Sequence, residues 1–216
     1  MAATVPVARR RPLRPLAWLQ PAIVVGSLAP FAVILARGLT GGLGANPIAT
    51  AMNQLGLLAL IFLVASLACS PLRVLFRWRW PIKIRRTLGL MGFFAACVHF
   101  GVWLVLDQGL ALQAIAEDIL GRPFILVGFL ALLLLLPLAQ TSSQKAMRRL
   151  GYPAWKRLHR LAYVAAGLGV VHYFLRVKAD VSEPLVYGVV LLVLFAVRAY
   201  DFRRQRSRRR AAALRG

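Results

Sequence analysis

The chain carries three histidines, and each stands in or beside an apolar run: His99 inside one, His159 and His172 toward the two ends of another. An imidazole can bind a metal through a ring nitrogen. Held away from water, such a side chain either satisfies a polar group of a neighbouring helix or marks a functional site. Other chemistries lack their parts. No serine is placed beside a histidine and an acid as a hydrolase needs, and no cysteine pair has metal-ligand spacing. Cys69 and Cys97 fall at different depths of their runs, too far apart for a disulfide, and read as small apolar residues in helix contacts.

The elements that must position the histidines follow from composition. In 216 residues, 60% of them hydrophobic, several apolar runs reach about twenty residues, the length that spans a bilayer. The fold class is therefore all-α, a polytopic bundle of six transmembrane helices over roughly 16–36, 50–69, 87–106, 123–140, 159–177 and 184–200. A basic segment 1–15 precedes the bundle and a basic tail 201–216 follows it, leaving no room for a soluble domain. Gly41-Gly42-Leu43-Gly44 superficially suggests a phosphate loop. With no strand before it and no βαβ helix after it, it reads as a flexible connection.

A net charge of +22 would suggest nucleic acid in a soluble protein, but its distribution gives it a topological role. Four Lys or Arg precede the first span, six lie in 70–86, six in 141–160 and eight from Arg198 onward, leaving Arg37, Arg122, Arg176 and Lys178 for the other connections. Those other connections hold Asp107, Glu117, Asp118, Asp180 and Glu183. By the positive-inside rule both termini are cytoplasmic and the weakly acidic loops face outward. Arg9-Arg10-Arg11 before an apolar run has a twin-arginine flavour, but no small-residue cleavage site closes the run, and an uncleaved first helix is expected. The C-terminal cluster around Arg208-Arg209-Arg210 is expected to anchor the last helix on anionic lipid. Trp78, Trp80, Trp103, Tyr152 and Trp155 near the span ends read as interfacial anchors.

Depth then separates the histidines. At about 1.5 Å per residue, His99 lies roughly 20 Å above the Arg85-Arg86 end of its span, two-thirds of the way across a ~30 Å core. His172, thirteen residues beyond His159 on a helix running the same way, reaches a similar height. Two histidines at matched depth can supply both axial ligands of a haem iron. Small residues Gly89, Gly92, Ala95, Ala96, Gly101, Ala165, Ala166, Gly167 and Gly169 would leave room for a flat macrocycle, or equally serve close helix packing. His159 stays at the inner interface between Arg157 and Arg160, about 140° around an ideal helix from His172. It reads as an interfacial or partner-facing residue, with a second haem as the other possibility. Arg85, at its level on the third helix, is a candidate contact for a haem propionate or a flavin phosphate, or else a topological charge.

The spacing of a histidine, twelve residues and a second histidine in the fifth span resembles the ferric-reductase-like transmembrane domain. More closely, Gly42-Leu43-Gly44-Ala45-Asn46-Pro47, Arg85-Arg86-Thr87-Leu88-Gly89-Leu90, Thr141-Ser142, Leu150-Gly151, Trp155-Lys156-Arg157-Leu158-His159, Tyr163 and His172-Tyr173 are similar to the haem-binding subunits of bacterial periplasmic protein-methionine-sulfoxide reductase systems, the MsrQ or YedZ family. The resemblance covers residues 16–200 and implies an inner-membrane electron-transfer subunit with haem b, and FMN as a further cofactor. It implies as partner a periplasmic molybdopterin-containing reductase, MsrP-like, in a heterodimer. Quinol or a cytosolic flavin reductase is the implied donor. By position it assigns His99 and His172 to an outer haem pair and His159 to the inner fifth-helix ligand. Arg85 stands where the broader family has the inner third-helix ligand.

A six-coordinate iron has no open position for a substrate, so sulfoxide reduction would fall to the partner. A stand-alone transmembrane ferric, metal or quinone reductase of the same fold is the alternative. A cofactor-free scaffold or transporter is a third class, but the chain shows no internal repeat and few polar residues at midplane.

Overall fold

The computed structural model of the chain describes residues 18–213, with side chains to 207. The expected basic segment 1–15 and the side chains of Arg208-Arg209-Arg210 therefore lie outside the described residues. Within them the chain forms α1 (Leu19–Leu39), α2 (Pro47–Phe76), α3 (Trp80–Val102), α4 (Leu112–Gly121), α5 (Pro123–Gln140), α6 (Gln144–Leu150), α7 (Tyr152–Leu158), α8 (Leu161–Arg176) and α9 (Ser182–Ala213). Six stretches are long and apolar enough to cross a membrane: α1, α2, α3 with its extension to Asp107, α5, α7 with α8, and α9. Six crossings bring the chain back to the face it started from, called here the terminal face.

Local chemistry sets the helix starts. Asn46 caps α2 by accepting the Ala49 N–H at 3.1 Å, and Ser143 caps α6 by accepting the Ala146 N–H at 3.0 Å. Proline stands in the first turn of α2, α3, α5 and α7, where its missing N–H costs no helical bond. In the connection from α1 to α2 the Arg37 guanidinium donates twice to the Gly42 carbonyl, at 2.8 and 3.1 Å, and Leu43 is buried. Gly41 and Gly44 take positive φ there, which is why glycine recurs.

Packing is centred on α2, over half of whose most apolar stretch is buried, whereas α1 and α9 bury almost none of theirs fully. The most extensive helix pairs are α2 with α3 and α5 with α8. Ala95, Ala165 and Ala166 are fully buried at the crossings, and Gly92 lies against Leu63, so small residues bring these backbones close. The third span starts earlier than expected, at Trp80, which puts Arg85 and Arg86 inside α3 instead of before it. A π-helical turn, Trp103–Asp107, ends that span. The connection to α5 contains the short helix α4, held through Asp118 by Gln108 at 2.9 Å and Arg122 at 3.1 Å. The segment 141–160 folds into α6 and α7, and α9 continues through residue 200 into the basic tail without a break.

Candidate functional site

The pairs α2–α3 and α5–α8 enclose a cavity of about 390 Å³, within the range of cofactor sites. His99 from α3 and His172 from α8 both line it, their ring centroids 6.1 Å apart and their planes 80° from parallel. The sequence-predicted pair is thus brought together across one space.

Each ring is fixed the same way. His99 Nδ1 lies 2.8 Å from the Met52 carbonyl of α2, and His172 Nδ1 lies 2.6 Å from the Phe124 carbonyl of α5. A carbonyl can only accept, so in both rings Nδ1 carries the hydrogen and Nε2 keeps its lone pair. Satisfying a neighbouring helix occupies only one nitrogen of each ring and leaves the other free, so the two readings of these histidines are compatible. A ligating histidine characteristically donates its second nitrogen in this manner.

The chemistry of the donor set discriminates between ions. A bare structural or catalytic ion takes three or more protein ligands. Among the described residues no group of three or more His, Cys, Asp or Glu side chains converges. A porphyrin supplies its own nitrogens and asks the protein for only two axial ligands. Two imidazole–metal bonds of about 2 Å each, with about 1 Å from each nitrogen to its ring centre, place centroids about 6 Å apart, the separation found here. Besides the two histidines the walls are mostly apolar; the other polar members are Asn53 and Tyr173, with Asp107, Arg122 and Arg176 at the rim away from the terminal face.

His159 sits elsewhere, between α7 and α8. Its Nε2 is 3.1 Å from Thr141 Oγ1 and its ring stacks on Trp155, centroids 4.1 Å apart. The Trp155 indole N–H donates to the Thr141 carbonyl at 2.9 Å, closing a small cluster. Arg85 lies within electrostatic reach of His159 and donates to Ser70 Oγ at 3.1 Å, while Ser66 Oγ donates to the Arg85 carbonyl at 2.9 Å. It does not line the cavity; the cations that do are Arg122 and Arg176.

Two expected anchors have other roles. Trp103 is buried against Phe100 and lines the cavity, and Trp155 is half-buried under His159. Position near a span end could not distinguish them from Trp78 and Trp80, which are exposed and stack in a row with Phe76. Of the small residues singled out, Ala96, Ala165 and Gly169 line the cavity, while Gly101 and Gly167 face open space. Sequence reasoning passed over Gly56 and Gly128, which lie against the two imidazoles.

A family model described as "Ferric reductase like transmembrane component" matches residues 46–170, which hold Gly56, His99, Gly128 and His159. The chain is 51% identical over 188 residues to the protein-methionine-sulfoxide reductase heme-binding subunit MsrQ of Deinococcus radiodurans, covering 87% of this chain and 92% of that one. It is 49% identical over 189 residues to the protein of the same name from Rhodospirillum rubrum, covering 87% and 91%, and 42% identical over 193 residues to that of Herminiimonas arsenicoxydans, covering 88% of each. A six-span bundle with paired imidazoles, matched by the family model and by relatives along nearly its whole length, belongs to the ferric-reductase-like transmembrane family and, within it, to the MsrQ family.

Proposed function

We propose that this chain is a membrane haem b electron-transfer subunit whose axial ligands are His99 and His172. In this reading it lies in the bacterial inner membrane with both termini cytoplasmic, and passes electrons to a periplasmic molybdopterin-containing methionine-sulfoxide reductase, MsrP-like, its partner in a heterodimer. The quinol pool is the electron source, with a cytosolic flavin reductase as the other donor class and FMN as a further cofactor that family resemblance implies. The names of the relatives, heme-binding subunits of a methionine-sulfoxide reductase, support this assignment.

The observation that carries the reading is the pair of imidazoles facing one cavity with Nδ1 of each already committed to a carbonyl. When bound, haem supplies a one-electron carrier. The Met52 and Phe124 carbonyls hold the rings in the tautomer that leaves Nε2 available, and strengthen it as a donor. Mostly apolar walls from all four helices line the space. Arg122 and Arg176 at the rim would receive the propionate carboxylates. Were His99 and His172 both given to holding the haem, sulfoxide chemistry would fall to the partner.

Absorption spectroscopy and a pyridine haemochrome assay on the purified chain test this. A low-spin b-type spectrum, oxidised on addition of a methionine-sulfoxide reductase subunit and its substrate, is expected. Purified chain without haem would overturn the reading.

A further inference from the structure

The two imidazoles are seated by one device used twice. A methyl carbon placed on Gly128 would stand 2.6 Å from His172 Nδ1, and one placed on Gly56 would stand 3.1 Å from His99 Cε1 and 3.2 Å from its Nδ1. Each ring therefore occupies the place of a missing side chain on the facing helix. The carbonyl that each ring reaches belongs to the residue four positions earlier: Phe124 for Gly128, Met52 for Gly56. By helical geometry that carbonyl already accepts the glycine's own N–H. Its second lone pair takes the imidazole. One helix surface thus offers both the space and the acceptor.

We propose that Gly56 and Gly128 are positioning residues for His99 and His172, setting the Nδ1–H tautomer and the ring orientation with which the pair meets its ligand. The ligand part of this rests on the haem reading; the tautomer part does not. The repetition argues against accident. Helices α2 and α5 each present a glycine to the histidine of the helix they pack against most closely, at the same offset from the acceptor. The other glycines behave differently. Gly92 meets Leu63, at 2.9 Å for the nearest atom, and is a packing residue, whereas Gly101 meets nothing within 4 Å.

The two contacts are unequal. At 2.6 Å an added carbon on Gly128 cannot coexist with the His172 ring as placed, and the ring must shift against its bond to the carbonyl. At 3.1 Å on Gly56 a displacement of a few tenths of an ångström suffices. Gly128→Ala should therefore act more strongly than Gly56→Ala.

The test uses the full chain in nanodiscs, labelled with ¹⁵N-histidine, as wild type, Gly56→Ala, Gly128→Ala, Gly92→Ala and Gly101→Ala. ¹⁵N NMR of the reduced, diamagnetic protein should show His99 and His172 protonated at Nδ1 in wild type. Both rings should stay protonated at Nδ1 in the variants that hold haem, but the Nδ1–H signals of His172 should move in Gly128→Ala to those of a ring whose bond to the carbonyl is weakened, and those of His99 should move the same way, by less, in Gly56→Ala. Haem affinity should fall about tenfold or more in Gly128→Ala, as when a partner of a ligating histidine is removed, and less in Gly56→Ala, with altered ferric EPR g-values in both. Gly92→Ala should lower thermal stability with imidazole signals and g-values unchanged, and Gly101→Ala should match wild type. Should Gly128→Ala fail to accumulate, the milder Gly56→Ala still decides. Wild-type imidazole signals in Gly56→Ala, or shifts as large in Gly92→Ala, overturn the proposal. Wild-type protein without haem overturns the haem reading instead, and the same NMR comparison on that protein then judges the tautomer.

Discussion

His172 and His159 stand on consecutive helical segments, thirteen residues apart, yet their rings are held by opposite nitrogens. His172 is tied through Nδ1 to a helix carbonyl, as is His99 across the cavity, so each leaves Nε2 unprotonated. His159 is tied through Nε2. Thr141 Oγ1 lies 2.6 Å from the Pro137 carbonyl, which can only accept, so the one hydroxyl hydrogen is committed there and Nε2 must donate to the oxygen. The nitrogen that the pair leaves free is, in the ring at the terminal face, already engaged. Surroundings differ in the same sense: His99 and His172 face a cavity, and His159 faces an indole, a hydroxyl and the field of Arg85. The residue type alone does not decide which nitrogen is free; the hydrogen-bond partner does.

Exchanging the histidines for alanine one at a time should break the symmetry between the regions most visibly. His99→Ala and His172→Ala are each expected to lose the low-spin haem spectrum, while His159→Ala keeps it. Haem content per protein, measured by pyridine haemochrome, checks this directly. If His159→Ala abolished the spectrum and His172→Ala left it intact, the comparison would be inverted.

A smaller effect is expected at the rim. Arg176 acts electrostatically on both imidazoles, and Arg122 is already paired with Asp118 at 3.1 Å with its own side chain 58% exposed. A cation near the iron favours the reduced state, so Arg176→Gln should lower the midpoint potential by roughly tens of millivolts, as a unit charge at about 10 Å and an effective dielectric constant of about 20 implies. Arg122→Gln should lower it less, because Asp118 offsets its charge and water screens it. Potentiometric titration measures both. An equal shift from Arg85→Gln would show that the terminal-face cation belongs to the same site.

What the sequence made legible was depth and periodicity. Six apolar runs gave the spans, and helical rise brought His99 level with His172. What it could not show depended on which helices pair. Gly56 and Gly128 matter only because α2 lies on α3 and α5 on α8, a fact of packing that no spacing along one helix encodes. One signal was present for Gly128: it is the sole glycine inside Pro123–Gln140, in a run of large apolar residues, where glycine weakens a helix by about 1 kcal/mol relative to alanine unless something approaches closely. Trp103 was misplaced for the same reason, since proximity to a span end does not reveal which side of the helix turns inward. The Thr141 hydroxyl was invisible too, because its contact with His159 requires α7 to fold back beside the end of α5.

That hydroxyl supplies the finest test of the contrast. Thr141→Val keeps the branched shape but removes the acceptor of the His159 Nε2–H, along with the hydroxyl's bond to the Pro137 carbonyl. Loss of a partly buried hydrogen bond costs about 1 kcal/mol, so a modest fall in thermal stability is expected. The His159 ¹⁵N signals should shift as its Nε2–H loses the hydroxyl, while the stack on Trp155 and the backbone of residue 141 still orient the ring. The His99 and His172 signals and the haem spectrum should stay as in wild type, because neither Nδ1 contact involves α7 or Thr141. A variant whose haem spectrum changed along with His159 would show that the two regions are coupled through α8, and that the separation drawn between them is one of distance and not of chemistry.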